Sequence, residues 1–348
     1  MKKYVAIIGA RPQFIKHAPI LFALKNQCEI VTIHTGQHYD YRMSQVFFDQ
    51  LSMPKPAYNL NSGGGLHGEM TGRMLQLIEP ILMDEKPDAV IVYGDTNSTL
   101  AGALTAAKLS IPVFHIEAGL RSYNREMPEE INRVMTDHLS SLLIAPSEQA
   151  IQNLQKEGIQ KNVYKTGDVM CDMIRIGFER NILQKKNERF YYATLHRPYN
   201  TDNENRLKYI LEIFNTLPML VRFFIHPRTK SIIDKNFNTA DYSNIHFEEP
   251  LSYFDNINEL YNSSCVLTDS GGVQKEAYIL KKKCITIRKE TEWVETLRGN
   301  WNNLVWENLD LIPALIQKES TDHQDNLYGD GHASEEILKL FNQYFRTN

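Results

Sequence analysis

Several features that define other protein classes are scarce in this sequence of 348 residues. Its four cysteines are scattered and form no Cys-x-x-Cys pair, so neither a structural zinc site nor a disulfide framework is predicted. No long basic run occurs, and the net charge is −4, which argues against a nucleic-acid partner. The cysteines are Cys28, Cys171, Cys265 and Cys284.

Long hydrophobic runs are also missing from the start of the chain. The first apolar run, Tyr4–Ile8, is too short for the core of a signal peptide and far too short to span a membrane. The sequence therefore predicts a soluble protein of the reducing cytoplasm without a membrane partner. It also indicates no metal site and no cofactor.

The chain does contain short apolar segments that alternate with amphipathic, helix-like segments. Strands that are apolar on both faces and alternate with helices indicate a parallel sheet covered on both sides. The pattern restarts after about Asp168, so we expect an α/β protein with two doubly wound, Rossmann-like domains. Their predicted limits are 1–168 and 169–332, with a helix at 333–348 that packs back on the first domain. The predicted strands are Tyr4–Ile8, Ile30–His34, Ala89–Val92, Val113–Ile116, Leu142–Ala145, Val163–Lys165, Tyr191–Leu195, Arg222–Ile225, Val266–Thr268 and Cys284–Ile287.

Three separate segments of the first half each provide a carboxylate. Asp95 and Glu117 follow two predicted strands, and Glu129 opens a helix after Pro128. Each has a structural alternative, because Asp95 could cap a helix, Glu117 could pair with Arg121, and Glu129 favours the positive end of its helix. Those alternatives do not explain why three segments all deliver an acid. Acid–base chemistry at the carboxyl ends of the strands is therefore predicted.

The start of the chain has the order strand, tight turn and helix. Arg11 lies in the turn and Lys16 lies in the helix, about one and a half turns later. Parallel sheets bind ligands at this end, so both side chains are candidates for binding a charged substrate. The alternative is that both are solvated surface charges.

The second half repeats polar residues at predicted strand ends. His196 and His226 follow successive strands, where a histidine can exchange protons or contact phosphate, although a single one is often only packed there. Ser270-Gly271-Gly272 lies between a strand and a helix, an arrangement that lets backbone amides approach a diphosphate. Glu276 lies further along that helix and is better suited to a ribose hydroxyl pair than to phosphate.

Together these motifs resemble the non-hydrolysing UDP-N-acetylglucosamine 2-epimerase family, and the match spans nearly the whole chain. The resemblance implies two Rossmann-like domains in the glycosyltransferase-B type arrangement, with a cleft between them that closes over a UDP-sugar. It also implies a cytoplasmic homodimer that supplies polysaccharide synthesis. The matching segments are GARPQFIKHAP, TGQHYDYRMSQ, YGDTNSTLAGAL, HIEAGLRSYNREMPEEINR, LHRPYNTDN, HPRTK and LTDSGGVQKEA.

The resemblance implies a mechanism as well. A base removes the C2 proton while UDP leaves C1, which gives 2-acetamidoglucal, and UDP then adds back after reprotonation on the opposite face. UDP-GlcNAc and UDP-ManNAc are thereby interconverted. The catalytic residues carried over by motif are Asp95, Glu117, Glu129 and His196. The substrate-binding residues carried over are Arg11, Lys16, His226, Ser270, Gly271, Gly272 and, for the uridine ribose, Glu276.

The chain also departs from the usual family pattern. Better-known members carry glutamate where this chain has Gln13, arginine where it has Trp293, and glutamate where it has Tyr199. The forms around Gln13 and Trp293 resemble a sister branch that acts on UDP-2,3-diacetamido-2,3-dideoxyglucuronate. The carboxylate of that sugar needs a basic partner, for which the candidates are Arg121, Arg125 and Arg197.

Two further functions and one regulatory site stay open at this point. A UDP-sugar-dependent glycosyltransferase shares the fold, and a non-catalytic sugar-nucleotide sensor would keep only the binding residues. Retention of the three acids favours the epimerase. Many bacterial family members are activated by substrate at a second site, to which Gln37, His38 and Arg73 are candidates to contribute.

Overall fold

The computed structural model describes residues 1–37, 48, 51 and 53–347. Two compact units form, one from the described residues of Met1–Ile176 with Leu327–Asn348 and the other from Gly177–Asn326. We call them unit 1 and unit 2. None of the helices in this described part of the chain has the length and apolarity that a membrane span requires.

The described residues of unit 1 form one parallel sheet of seven strands in the order β3-β2-β1-β4-β5-β6-β7. The order reverses between β1 and β4, which pair in register from Tyr4 opposite Ala89 to Ile7 opposite Val92. In a doubly wound sheet, the carboxyl ends of the strands beside this reversal form the usual ligand-binding crevice. The strands are β1 (Lys3–Ile8), β2 (Glu29–His34), β3 (Tyr58–Asn59), β4 (Ala89–Tyr93), β5 (Val113–Ile116), β6 (Leu142–Ala145) and β7 (Val163–Lys165).

Unit 2 contains a second parallel sheet, of six strands in the order β10-β9-β8-β11-β12-β13. Here the order reverses between β8 and β11, which are hydrogen-bonded from Tyr191 opposite Cys265 to Thr194 opposite Thr268. The second crevice of this kind is therefore expected beyond Thr194 and Thr268. The strands are β8 (Tyr191–Thr194), β9 (Val221–Phe224), β10 (Ile245–Glu248), β11 (Cys265–Thr268), β12 (Cys284–Thr286) and β13 (Asn302–Leu304).

Helices connect the parallel strands of both sheets, as a parallel sheet requires. In chain order the helices are α1 (Arg11–Leu24), α2 (His67–Glu85), α3 (Asn97–Lys108), α4 (Pro128–Leu139), α5 (Glu148–Lys156), α6 (Val169–Glu179), α7 (Pro198–Thr201), α8 (Glu204–Asn215), α9 (Pro227–Asn236), α10 (Tyr253–Asn262), α11 (Gly271–Ile279), α12 (Ile312–Gln317) and α13 (Ala333–Thr347). The two doubly wound α/β folds confirm the predicted fold class, whereas the predicted domain limits at 168/169 and 332/333 stay a prediction.

The last helix, α13, belongs to unit 1. Phe341 packs against Phe114 and Tyr4, with ring centroids 4.7 Å and 5.5 Å apart. The buried carboxylate of Asp172 accepts hydrogen bonds from the first backbone N–H groups of α13, those of Ala333 and Ser334, at 3.1 and 2.8 Å. An acid at this position satisfies the free amides of a helix start, so α13 is fixed at its first turn as well as by its apolar face.

Candidate active site

Asp95 lies directly after β4, beside the reversal of strand order in unit 1. Two nitrogens of Arg133, Nε and Nη2, donate to its Oδ2 at 2.9 and 2.6 Å, and Asn132 Nδ2 donates to its backbone carbonyl at 2.9 Å. Arg133 and Asn132 are consecutive residues of α4, so one helix fixes both the carboxylate and the backbone carbonyl of Asp95. The other oxygen, Oδ1, has no hydrogen bond among the described residues, and the side chain is 28% exposed. That oxygen can face a ligand.

Glu117 follows β5, the strand next to β4. Its carboxylate pairs with Lys16 Nζ of α1, so the two sequence-predicted residues are in direct contact. Glu117 adopts φ +74°, a left-handed conformation that is costly for a residue with a side chain and is found at functional sites. A Cβ at Gly94 would lie 3.1 Å from Glu117 Oε2 and 3.2 Å from Lys16 Nζ, so glycine permits this close approach.

Glu129 and Glu130 open α4 but have different surroundings. The buried Glu130 accepts hydrogen bonds from the backbone N–H groups of Ser122 and Tyr123 and from Arg133. Burial would raise the pKa of Glu130, but these donors outweigh it and hold the pKa below its ordinary value. The half-buried Glu129 has no hydrogen bond or ion pair within the described ranges. Glu130 is therefore structural, while the Glu129 carboxylate is available for chemistry.

The turn before α1 depends on Gln13. Its side-chain oxygen accepts from the backbone N–H groups of Gly9 and Ala10, and its nitrogen donates to the Tyr93 carbonyl and to Thr99 Oγ1, all between 2.8 and 3.1 Å. A glutamate could not donate to the Tyr93 carbonyl, so glutamine suits this network. Gln13 thus connects the turn that presents Arg11, which begins α1, to the end of β4.

In unit 2, the buried carboxylate of Asp269 organises the segment after β8. It accepts hydrogen bonds from the backbone N–H groups of His196 and Arg197 and from Asn200 Nδ2, each at 3.0 Å. His196 is therefore fixed where β8 and β11 end. Burial lowers the pKa of His196, Asp269 opposes that change, and the nearby cations of Arg197 and Arg288 reinforce it. A neutral imidazole at neutral pH follows.

Arg288 is a functional candidate that sequence analysis missed. It lies two residues beyond β12 and is 3% exposed; its Nη2 is 3.0 Å from Glu292 Oε2. Its Nη1 is buried without a hydrogen bond among the described residues, and so is Nε of Arg197. A Cβ at Gly271 would lie 3.6 Å from Arg288 Nη1, which places this N–H beside the first turn of α11. An unsatisfied buried cationic donor next to a helix N-terminus is suited to an anionic ligand.

The other predicted residues of unit 2 lie around these groups. The rings of His196 and His226 are 5.4 Å apart between centroids, and the Nδ1 atom of His226 accepts from the backbone N–H of Arg228. Ser270 caps α11 through a bond from Val273 N–H to its side chain. At Gly272 an added Cβ would meet nothing within 4 Å, which leaves its backbone accessible.

Trp293 replaces the arginine of the usual family pattern and is buried. Lys275 Nζ lies 4.2 Å from the centroid of its indole ring, a cation–π contact. Both Lys275 and Glu276 lie on α11 and are buried. Trp293 thus contacts α11, the helix whose first turn contains the predicted diphosphate contacts.

Arg121, one candidate partner for a substrate carboxylate, is fully engaged elsewhere. It donates to Asp137 Oδ2, to both carboxylate oxygens of Glu157 and to the Leu120 carbonyl, each at 2.7 Å. It therefore does not pair with Glu117, as the structural alternative required, and these donors are already used within unit 1. Arg125 is exposed, without a partner in the described part of the chain.

The candidate regulatory residues have structural partners where they are described. Gln37 Oε1 accepts from the backbone N–H and the hydroxyl of Ser98, at 3.0 and 2.7 Å. Arg73 pairs with Glu69 and donates to the carbonyl of Gly64. His38 lies outside the described residues. The second binding site stays a prediction.

A solved structure with the same fold is that of the UDP-GlcNAc 2-epimerase of Methanocaldococcus jannaschii in complex with UDP-GlcNAc and UDP. The TM-score is 0.85 at 41% sequence identity, over 99% of this chain and 100% of that one. The fold is thus that of a nucleotide-sugar epimerase.

Sequence relatives agree with this class. A UDP-N-acetylglucosamine 2-epimerase homolog of Methanococcus maripaludis is 46% identical over 355 residues, which cover 97% of this chain and 99% of the relative. The UDP-2,3-diacetamido-2,3-dideoxy-D-glucuronate 2-epimerase of Pseudomonas aeruginosa is also 46% identical, over 97% of this chain and 98% of the relative. The sequence model of the UDP-N-acetylglucosamine 2-epimerase family matches residues 22–342. The chain belongs to this family, which confirms the resemblance found in the sequence.

Proposed function

We propose that this chain is a non-hydrolysing UDP-N-acetylglucosamine 2-epimerase that interconverts UDP-GlcNAc and UDP-ManNAc. The observation that supports this proposal is that the two sheets present different chemical groups after their strands. Carboxylates follow the strands of unit 1, and in unit 2 the buried Arg288 Nη1, which has no hydrogen bond among the described residues, lies beside the start of α11. This combination suits proton transfer at a sugar carbon together with stabilisation of a departing diphosphate.

The proposed reaction balances without a cofactor. A base removes the C2 proton, the electron pair of the C2–H bond forms the C1–C2 double bond, and the C1–O bond breaks so that UDP leaves with its electrons. The product of this half-reaction is 2-acetamidoglucal. In the return step a UDP oxygen adds to C1 and a proton is delivered to the opposite face of C2.

Unit 1 supplies the proton-transfer groups in this proposal. Asp95 Oδ1 and the Glu129 carboxylate have no hydrogen bond within the described ranges and can face the sugar, and Glu117 is oriented by Lys16. Three acids at the carboxyl ends of the strands and at the next helix start provide the two differently placed groups that chemistry on two faces of one carbon requires.

Unit 2 supplies the groups that bind UDP. Arg288 Nη1, Arg197 Nε and the amides of Ser270–Gly272 would hold the diphosphate, and Arg11 of unit 1 and His226 are further candidates. The neutral His196 can donate to a phosphate oxygen or exchange a proton with it. Glu276, buried on α11, would bind the uridine ribose.

A second candidate substrate is UDP-2,3-diacetamido-2,3-dideoxyglucuronate, favoured by the 46% identity to the Pseudomonas enzyme named for that sugar. The same reaction applies, with an extra carboxylate on the sugar. Because Arg121 is buried and fully bonded, the candidate partners for that carboxylate reduce to Arg125 and Arg197.

The direct test is incubation with either UDP-sugar in deuterated water and no acceptor. Epimerisation predicts deuterium at C2 in both epimers of the true substrate. A glycosyltransferase or a non-catalytic sensor would return intact, unlabelled UDP-sugar. Unlabelled material with both substrates contradicts the proposal.

We further propose a cytoplasmic homodimer, with domain limits near 168 and 332. Helix α2 packs against α3, and α3 packs against α4. The two outer helices expose large apolar side chains, namely Leu77, Met83, Ile131 and Met135. A second copy of the chain would cover them, since such groups at neighbouring positions mark contact surfaces.

A further inference from the structure

A buried cluster of four charged side chains lies behind the proposed acid–base residues of unit 1. His115 on β5 and Asp137 on α4 are each at most 1% exposed, and Arg121 is 3% exposed. Glu157 completes the cluster at its half-buried edge. None of these groups is assigned a role in the reaction proposed above.

His115 has hydrogen-bond acceptors on both sides of its ring. Its Nδ1 is 2.7 Å from Asp137 Oδ1, and its Nε2 is 2.8 Å from the backbone carbonyl of Gly94. Asp137 uses its other oxygen, Oδ2, to accept from Arg121 Nη1 at 2.7 Å and from the backbone N–H of Gly119 at 3.1 Å.

These contacts determine where the hydrogens of His115 lie. A carbonyl only accepts hydrogen bonds, so Nε2 must carry a hydrogen. An ionised carboxylate also only accepts, so Nδ1 must carry one too if Asp137 is ionised. The guanidinium of Arg121 and the backbone N–H of Gly119 both donate to Asp137, and these two donors favour its ionised form whatever the state of His115.

We propose that His115 is a positioning residue that is held as the doubly protonated imidazolium and fixes the carbonyl of Gly94, and with it the segment that presents Asp95. This inference rests on the proposed function, since it assigns His115 a part in placing the acids of that reaction. The buried charges balance, with His115 and Arg121 opposing Asp137 and Glu157.

Gly94 is the point through which His115 acts. It has φ +61°, and the positions of Lys16 and Glu117 leave little room beside it. The bond from His115 fixes the orientation of this peptide group, and Asp95 is the next residue. Asp137 in turn accepts from the backbone N–H of Gly119, two residues after Glu117. The buried pair of His115 and Asp137 therefore fixes the backbone at Gly94, before Asp95, and at Gly119, after Glu117.

Ring-nitrogen NMR of protein labelled with ¹⁵N-histidine tests the protonation state without any substrate. Among the 11 histidines, the His115 signal is assigned by its loss in His115→Gln. The proposal expects two ring nitrogens that each couple to a bonded hydrogen at neutral pH. A neutral ring with one bonded hydrogen would overturn it, whether or not the proposed reaction is correct.

Two matched variants test the positioning role. Glutamine can place its amide nitrogen near the position of Nε2 and keep the bond to Gly94, whereas asparagine reaches only the position of Nδ1 and keeps the bond to Asp137. We expect His115→Asn to lower kcat for epimerisation about 100-fold at unchanged KM, as misplaced catalytic groups do, and His115→Gln to stay within about 5-fold of the wild type.

Equal losses in the two variants, or no loss in either, would overturn the positioning role. Thermal unfolding of both variants is the control, because a purely structural role predicts that kcat follows the folded fraction. A wild-type protein without epimerase activity would contradict the proposed function instead, and the NMR result would still decide the charge of His115.

Discussion

At the residue scale, the two carboxylate oxygens of Asp95 have different environments. Oδ2 is fixed by Arg133, and Oδ1 makes no hydrogen bond to the described residues. Replacing this acid by its amide, Asp95→Asn, keeps its size but removes its basicity. We expect UDP affinity within about 3-fold of the wild type and turnover reduced by about 100- to 10,000-fold, the usual contribution of a general acid or base.

Isothermal titration with UDP and the C2 deuterium-exchange rate measure the two effects separately. Asp84→Asn, at an exposed position of α2, is the matched control and should alter neither. Near-normal turnover in Asp95→Asn would remove Asp95 from the catalytic set.

In unit 2, the residue that we expect to contribute most directly to UDP binding is Arg288. Its buried Nη1 has no hydrogen bond from the part of the chain that the structure describes, so a bound phosphate oxygen would gain a charge-assisted hydrogen bond there. Arg288→Gln should weaken UDP binding by about 10- to 100-fold, which corresponds to the roughly 1.5–3 kcal/mol of a bond to a charged group.

The matched control is Arg189→Gln, which removes an exposed arginine of the same unit and should leave the UDP dissociation constant unchanged. Equal UDP affinities for Arg288→Gln and the wild type would show that Arg288 does not contact the diphosphate.

Sequence patterns located the acids but not their partners. Asp95 and Glu117 were predicted because an apolar strand precedes each of them. The pairing of Glu117 with Lys16 joins residues 101 positions apart, and no local pattern signals it. Asp269 and Arg288 also follow strands, at 268 and 286, and the same strand-end rule could have found them.

At the element scale, the interior strands were predictable because they are apolar on both faces. All ten predicted strands occur, with ends that differ by at most one residue. Three strands, β3, β10 and β13, were missed, and each lies at the edge of its sheet. Edge strands such as Asn302–Leu304 are short and partly polar, because one side of them faces no neighbouring strand.

Helix α1 is joined to the sheet through the fully buried His17. Its Nδ1 is 2.7 Å from the Tyr93 hydroxyl and its Nε2 is 3.0 Å from Thr32 Oγ1. Burial lowers the pKa of His17 from 6.5 to about 3. Below pH 6.5 His17 is therefore protonated in the unfolded chain, whereas in the folded chain it stays neutral down to about pH 3. The free energy of unfolding is highest above pH 6.5 for this group and decreases as the pH falls below that value.

Between about pH 5.5 and 4.5, each unit by which the pH falls should lower the free energy of unfolding of unit 1 by about 1.4 kcal/mol through His17 alone. Urea-dependent hydrogen exchange of α1 peptides measures it. Comparison with His17→Gln, which cannot take up the proton, isolates this one group from the carboxylates. Parallel pH dependences for the two proteins would contradict a neutral, buried His17.

At the scale of the whole molecule, the proposed homodimer gives a simple test. Met135 is exposed on α4, and a charge there would have to be buried on association. We expect Met135→Glu to shift the protein towards monomer in sedimentation velocity, without loss of secondary structure by circular dichroism.

Phe178→Glu changes an equally exposed apolar residue of α6 outside the proposed contact surface. This variant should sediment as the wild type does. A monomeric wild type, or dimers of unchanged stability in Met135→Glu, would contradict the proposed contact surface.

The roles proposed for both units require that the bond between C1 and the UDP oxygen breaks in every turnover. UDP-GlcNAc labelled with ¹⁸O in that bridging position tests it by positional isotope exchange in deuterated water. We expect ¹⁸O to appear in non-bridging positions of the β-phosphate of recovered substrate molecules that also carry deuterium at C2. Deuterium at C2 in both epimers with all ¹⁸O still in the bridging position would contradict it.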